Sequence, residues 1–185
     1  MTGLFGQIES DVEGVAVNLG AGVATWSVVL NSNVYIDTLQ SIENAIGTAY
    51  DDQLLGSDVA NRLEGRGGSD EIRGFGGADT LEGGGGNDTI HGGTGGDTII
   101  GGRGSDVLYG EAGGDTFVFR NGDGFDRIAD FEQGQDLIDF SAMGLTFADI
   151  SISTSKGFVS ISAEDVSITV TGAAASQFDA SDFVF

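Results

Sequence analysis

A chain of 185 residues that carries 29 Asp and Glu against 7 Lys and Arg has a net charge of −22. That charge excludes nucleic acid and anionic membrane surfaces as natural partners and favours cations. Glycine supplies 33 residues while proline is absent, which excludes collagen and departs from an average globular domain, and the lack of cysteine removes disulfides and thiolate metal sites.

Residues 1 to 11 hold no basic region and no apolar run of seven or more, so no Sec signal peptide is expected there, and no membrane span is expected anywhere in the chain. Gly14 to Leu19 places Val15, Val17 and Leu19 at every second position, the period of a strand, and Asp37 to Ile46 is expected to be strand as well. Trp26 and Tyr35 are expected to add bulk to these strands or to lie in the loop between them. Residues 1–46 are expected to form an N-terminal β cap over the open end of a repetitive segment that begins at Gly47.

From Gly47 the chain divides without insertion or deletion into eight nonamers, which begin at Gly47, Gly56, Gly65, Gly74, Gly83, Gly92, Gly101 and Gly110 and end at Val118. The sixth position is Asp or Asn throughout (Asp52, Asn61, Asp70, Asp79, Asp88, Asp97, Asp106, Asp115), and the eighth is always apolar (Leu54, Leu63, Ile72, Leu81, Ile90, Ile99, Leu108, Phe117). A stretch such as Gly83 to Asp88 is predicted to turn sharply because glycine reaches positive φ without a Cβ penalty. Thr89, Ile90 and His91 then form one short strand with the middle side chain inward. Two nonamers make a coil of 18 residues, so residues 18 apart stack about 4.8 Å apart as parallel neighbours in two small sheets.

Stacking brings the aspartates together as well. Two carboxylates about 5 Å apart repel by about 0.8 kcal/mol in water and about 3 kcal/mol at an effective dielectric near 20. One small inward side chain per nonamer is too thin a core to offset the ordering of the chain. A hard divalent cation between the turns answers both problems. Ca²⁺ accepts six to eight oxygens in flexible geometry, whereas Mg²⁺ demands a tight octahedron and holds its waters. Metal binding and folding are therefore expected to be one linked event.

Downstream, Asn121 to Ile128 reads as a ninth turn after a two-residue insertion. Arg127 to Phe131 and Asp136 to Phe140 flank Gly134 and are expected to pair as strands, and Phe158 to Ile161 with Val166 to Val170 alternate as a hairpin. Residues 130–185 form the expected C-terminal β cap, and the chain ends on an acidic residue followed by apolar ones, Asp182, Phe183, Val184 and Phe185.

Residues 47 to 118 resemble the RTX, or haemolysin-type, calcium-binding repeats of proteins exported by type I secretion systems, and both flanks resemble the same family. The resemblance implies an all-β fold, a right-handed parallel β-roll over 47–129, with Ca²⁺ as its cofactor. It also implies ions held between a turn and the turn one coil later. One site would use Arg66, Gly68 and Asp70 with Gly83, Gly85 and Asp88, continued by Gly84, Gly86 and Asp88 with Gly101, Arg103 and Asp106. On the opposite edge Phe75, Gly77 and Asp79 would act with Gly92, Thr94 and Asp97, followed by Gly93, Gly95 and Asp97 with Gly110, Ala112 and Asp115. Asp106 would share a further ion with Asp123 and Asp126. The first two repeats depart from the pattern, with Tyr50 and Val59 at the fourth-position glycine and Asn61 for aspartate, so weak or empty sites are expected there.

Catalytic signatures are missing: there is no His-Glu-x-x-His helix, no Gly-x-Ser-x-Gly elbow, no P-loop and no nucleophile beside a base. His91, the only histidine, is expected on an outward strand position without partners, and Asp51 with Asp52 fits a solvated turn better than an acid–base pair. Arg62, Arg66, Arg73 and Arg103 are expected on exposed faces or turns. Three classes of function are consistent with these features. The chain is a secreted, extracellular module that folds on calcium after passing a type I exporter. Alternatively it binds anionic polysaccharide, as repeat modules of alginate epimerases do, or it is the C-terminal part of a larger secreted protease, lipase or epimerase.

Overall fold

The computed structural model describes residues 15–20, 23–27, 34–38, 43–155, 158–171 and 173–185. The repeat becomes structure directly. Strands β4 (Asn44–Ile46), β6 (Arg62–Gly67), β8 (Thr80–Gly86), β10 (Thr98–Gly104) and β12 (Thr116–Val118) stack in parallel in one sheet. The opposite sheet holds β5 (Gln53–Ser57), β7 (Glu71–Gly76), β9 (Thr89–Gly95), β11 (Val107–Gly113) and β13 (Phe125–Ile128). Each nonamer is half a coil, and the register is the predicted 18 residues: Leu54 faces Ile72, which faces Ile90, which faces Leu108. In the other sheet Leu63, Leu81, Ile99 and Phe117 form the matching ladder. All eight side chains are fully buried between the sheets.

The strands are longer than the three residues expected. Pairing in β8 and β10 continues from Thr80↔Thr98 through Gly84↔Gly102 to Gly86↔Gly104, so successive turns are bonded to one another. Repeats of equal length place like residues opposite each other, and glycine in the turn lets the backbones approach. Outward positions carry the charged residues: Arg62 pairs with Glu64 and Glu82, Arg66 with Glu64, and Arg73 with Glu71. Ile100, although outward, is only 5% exposed. Arg120 reaches Glu82, which stands opposite Ile100 in register, at 3.3 Å.

Both ends of the coil are extended by added strands. β1 (Val15–Asn18) lies parallel to β5, with Val17 opposite Leu54, and β2 (Val23–Ser27) and β3 (Val34–Thr38) follow antiparallel. Trp26 and Tyr35 thus sit within strands, directly opposite each other in register. The segment Asp37 to Ile46 is not one strand. Asp37 and Thr38 end β3, residues 39–42 lie outside the described residues, and Asn44–Ile46 belongs to the other sheet with Ala45 inward.

At the C-terminal end, the expected pairing of Arg127–Phe131 with Asp136–Phe140 does not occur. β13 lies beside β11, while β14 (Leu137–Asp139) lies beside β12 in the opposite sheet. The chain between them forms one more turn of the coil, so the roll runs half a coil past the ninth turn. Beyond β13, β17 (Val166–Val170) adds in parallel, and β16 (Phe158–Ala163) and β15 (Ser151–Ser155) continue antiparallel, which includes the expected hairpin. β18 (Phe183–Val184) pairs with β14. Phe119, Phe131, Phe140, Phe178 and Phe183 close the core at this end. Four short 3-10 turns complete the fold, and no α-helix occurs among the described residues.

Candidate metal centres

The turns form two ladders, one on each edge of the roll. Asp52, Asp70, Asp88, Asp106 and Asp126 occupy one edge, and Asn61, Asp79, Asp97, Asp115 and Asp136 the other. Every one of these side chains is at most 4% exposed. The ladder is held by a repeated bond in which, from Asp70 onward, Oδ1 of each aspartate accepts the main-chain N–H of the ladder residue one coil earlier. On the first edge Asp70 accepts from Asp52, Asp88 from Asp70 and Asp106 from Asp88, each at 2.8 Å. On the second edge Asp79 accepts from Asn61 at 2.7 Å, Asp97 from Asp79 at 2.8 Å and Asp115 from Asp97 at 2.9 Å.

The other carboxylate oxygen is different. Oδ2 of Asp70, Asp79, Asp88, Asp97, Asp106 and Asp126 is buried and has no hydrogen-bond partner. A buried oxygen without a partner costs on the order of 1–3 kcal/mol, and more when charged. Those of Asp70, Asp79, Asp88 and Asp97 face the first residue of their own turn, where a carbonyl from the next coil converges. A Cβ on Gly65 would meet both Oδ2 of Asp70 and the Gly83 carbonyl, and one on Gly83 would meet Oδ2 of Asp88 and the Gly101 carbonyl. Gly74 with Asp79 and Gly92, and Gly92 with Asp97 and Gly110, repeat this on the second edge.

Second- and fourth-position carbonyls also point at the next coil: those of Arg66 and Gly68 lie against Gly84 and Gly86, and those of Phe75 and Gly77 against Gly93 and Gly95. Third-position carbonyls are already engaged, Gly85 accepting from the Gly68 N–H at 3.0 Å and Thr94 from that of Gly77 at 2.9 Å. Arg103 and Ala112 stand opposite Gly85 and Thr94 in register. The donors that converge are all oxygen, a set that suits a hard cation such as Ca²⁺. Among the described residues no three His, Asp or Glu side chains come together as a metal cluster. Main-chain carbonyls must therefore complete any coordination shell here.

Electrostatics point the same way. Burial, reinforced by repulsion from Asp88, pushes the Asp70 carboxyl up to about 7, and burial with repulsion from Asp136 does the same to Asp115. Burial raises Asp79 to about 6, and it raises Asp88 and Asp97 as well. Asp106 and Asp126, neighbours in the ladder, are both held above the usual carboxylate range, chiefly by burial, then by repulsion from Asp88 for Asp106 and from Asp106 for Asp126. A carboxylate that resists ionisation for want of solvent or counter-charge is one that a cation would relieve.

Asp126 occupies the ladder position of the ninth turn, accepting the Asp106 N–H at 2.9 Å, 20 residues away. Asp123 is buried beside it, and its Oδ2 accepts the Arg120 N–H at 2.7 Å. Asp136 and Asp130 were not among the expected site residues. Asp136 closes the second ladder by accepting from the Asp115 N–H at 3.0 Å, and Asp130 clamps the N–H groups of Gly110 and Glu111, both at 3.0 Å. An offset of 21 residues instead of 18 hides Asp136. Allowing a three-residue insertion, as for the two residues before Asp126, would have found it. His91 is not without partners: its ring stacks on Tyr109, centroids 4.4 Å apart, and Nδ1 lies 2.8 Å from Glu111.

The model of the RTX calcium-binding nonapeptide repeat matches residues 55–90 and again 91–127. No curated protein matches the chain in sequence. Among solved structures, the AlgE6R3 subunit of the Azotobacter vinelandii mannuronan C5-epimerase is 26% identical with a TM-score of 0.46, covering 75% of this chain and 80% of its own. The AlgE6R2 subunit of the same epimerase is 24% identical with a TM-score of 0.42, covering 79% of this chain and 92% of its own. The extracellular lipase LipA of Serratia marcescens is 18% identical with a TM-score of 0.47; 88% of this chain aligns, over 24% of the lipase. The convergent oxygens, the stacked aspartates and the family match agree: residues 55–127 match the RTX calcium-binding nonapeptide repeat, and Ca²⁺ is the ion that such repeats bind.

Proposed function

We propose that the chain is a non-catalytic secreted module that travels unfolded, C-terminus first, through a type I exporter and winds into its roll outside the cell, where Ca²⁺ is abundant. One observation carries the folding half of this reading: six buried aspartate oxygens have no hydrogen-bond partner among the described residues. Each ion would sit between turns one coil apart, and the aspartates of both turns, with carbonyls of the first and second turns, would hold it. When bound, the ion supplies positive charge and oxygen coordination, and the chain supplies a register that brings the donors together. Residues 47–129 are assigned to the roll, 1–46 to the N-terminal cap and 130–185 to the C-terminal cap, into which β14 carries the last half-coil.

Burial of the C-terminal segment fits the same sequence of events. Asp182 and Phe183 are buried in the folded chain, and Phe183 stacks on Phe140. An exporter that reads this terminus would read it before folding. As for an anionic polysaccharide, the ion pairs of Arg62, Arg66 and Arg73 with glutamates leave those cations poorly placed to meet one. Circular dichroism during a calcium titration tests the proposal. β-structure should appear steeply and vanish on chelation, and an unchanged spectrum would reject it.

A further inference from the structure

Turns of the same length and sequence pattern fall into two kinds, and the difference lies in the second residue. In six turns that residue has a left-handed backbone: Arg66 (φ 80°), Phe75 (φ 74°), Gly84 (φ 109°), Gly93 (φ 113°), Gly102 (φ 93°) and Glu111 (φ 67°). Three of these six are not glycine, so the conformation is imposed by the turn and not merely permitted by the residue. In the first five of the six, the aspartate four positions on has the partnerless Oδ2. In the sixth, the Glu111 N–H points instead to Asp130 of the next coil.

The first two turns are built the other way. Thr48 and Ser57 are absent from the positive-φ residues, and each turns its N–H back into its own turn. The Thr48 N–H donates to Oδ2 of Asp52 at 2.5 Å, and its hydroxyl lies 3.1 Å from Oδ1. The Ser57 N–H donates to Oδ1 of Asn61 at 2.7 Å, with the hydroxyl 3.2 Å from the same atom. An N–H in that position does two things: it satisfies the oxygen that would otherwise need a cation, and it places a partial positive charge where the cation would sit.

We propose that the backbone hand at the second residue of each turn decides whether that turn takes metal, and that the first two turns are closed by the chain itself and take none. Loss of the aspartate at Asn61 is then a consequence of that closure and not its cause. The N-terminal coil becomes a calcium-independent first winding on which the metal-bearing coils stack. This inference rests on the calcium reading above, and it identifies the local feature that bounds the row of sites.

Native mass spectrometry at saturating Ca²⁺, with circular dichroism on the same samples to report folding, tests it. Asp52→Asn keeps an acceptor for the Thr48 N–H and removes the charge, so the ion count should stay that of the parent protein. Asn61→Asp alone adds a carboxylate to a closed turn and should add no ion. Asn61→Asp combined with Ser57→Gly and Val59→Gly restores the open turn and should add one. A lost ion in Asp52→Asn, a gained ion in Asn61→Asp alone, or no gain in the triple variant would overturn the inference. Failure of the parent protein itself to bind calcium would instead overturn the calcium reading.

Discussion

Each ladder aspartate has one oxygen fixed by a neighbour's N–H and, in the middle of the roll, one oxygen fixed by nothing. The pH behaviour of metal-free protein follows from that asymmetry. Asp70 and Asp115 have carboxyls raised to about 7, and Asp79 to about 6, by burial, all above their unfolded values. Raised carboxyls contribute stability that is full below the unfolded value and is lost as pH climbs through the folded value. In chelator, the β-signal should therefore grow as pH falls from 8 towards 5, and a flat signal would contradict it. With calcium present the direction reverses, because protons compete for the same oxygens: more Ca²⁺ should be needed at pH 5 than at pH 8. Backbone contacts give a second prediction at this scale. A Cβ on Gly95 (φ 140°) would overlap the Gly77 carbonyl oxygen, whereas one on Gly122 (φ 90°) meets nothing within 4 Å. Gly95→Ala should abolish calcium-induced folding at millimolar Ca²⁺, and Gly122→Ala should cost about 1–2 kcal/mol, the strain of a left-handed alanine alone.

Strands depend on a single inward residue per half-coil, so the core is a ladder with few contacts to spare. Leu81 is fully buried, between Leu63 and Ile99 in register. Leu81→Ala should cost about 2–5 kcal/mol and lower Tm at fixed calcium by about 5–15 °C, while Thr98→Ala on the outer face should cost within about 0.5 kcal/mol. Scanning calorimetry of the two variants separates the cases, and equal losses would refute the ladder as the source of strand stability. This single-residue logic is also why the roll could be derived from sequence. With no insertion between Gly47 and Val118, a period of nine and an apolar eighth position leave one register, and the structure adopts it. Prediction failed where the period broke. Three extra residues before Asp136 made a turn of the coil look like a hairpin, because local alternation at Arg127–Phe131 and Asp136–Phe140 carries no information on which sheet a strand joins. Asp37–Ile46, expected as a strand, likewise runs across a change of sheet. The two kinds of turn were also hidden, because Arg66, Phe75 and Glu111 are residue types that give no sign of positive φ.

For the whole molecule, the question is whether calcium acts as a general counter-ion to a net charge of −22 or as a ligand at particular atoms. Surface repulsion is a matter of screening. At 1 M monovalent salt the Debye length is about 3 Å, and exposed charges cease to feel one another. Buried oxygens respond differently, since those of Asp70 through Asp106 are shielded from bulk ions and need a cation in contact. Sodium chloride at 1 M should therefore leave the chelated chain largely unwound, while millimolar Ca²⁺ should wind it. Mg²⁺ at the same concentration should produce less β-structure, because it must shed waters to fit between carbonyls fixed by the backbone. Small-angle scattering distinguishes the outcomes. A folded domain of this length has a radius of gyration of about 16 Å and an unfolded chain about 46 Å, a roll somewhat above the lower value for its elongation. If salt alone brought the scattering to the calcium-bound dimension, charge neutralisation would suffice and the partnerless oxygens would play no special part.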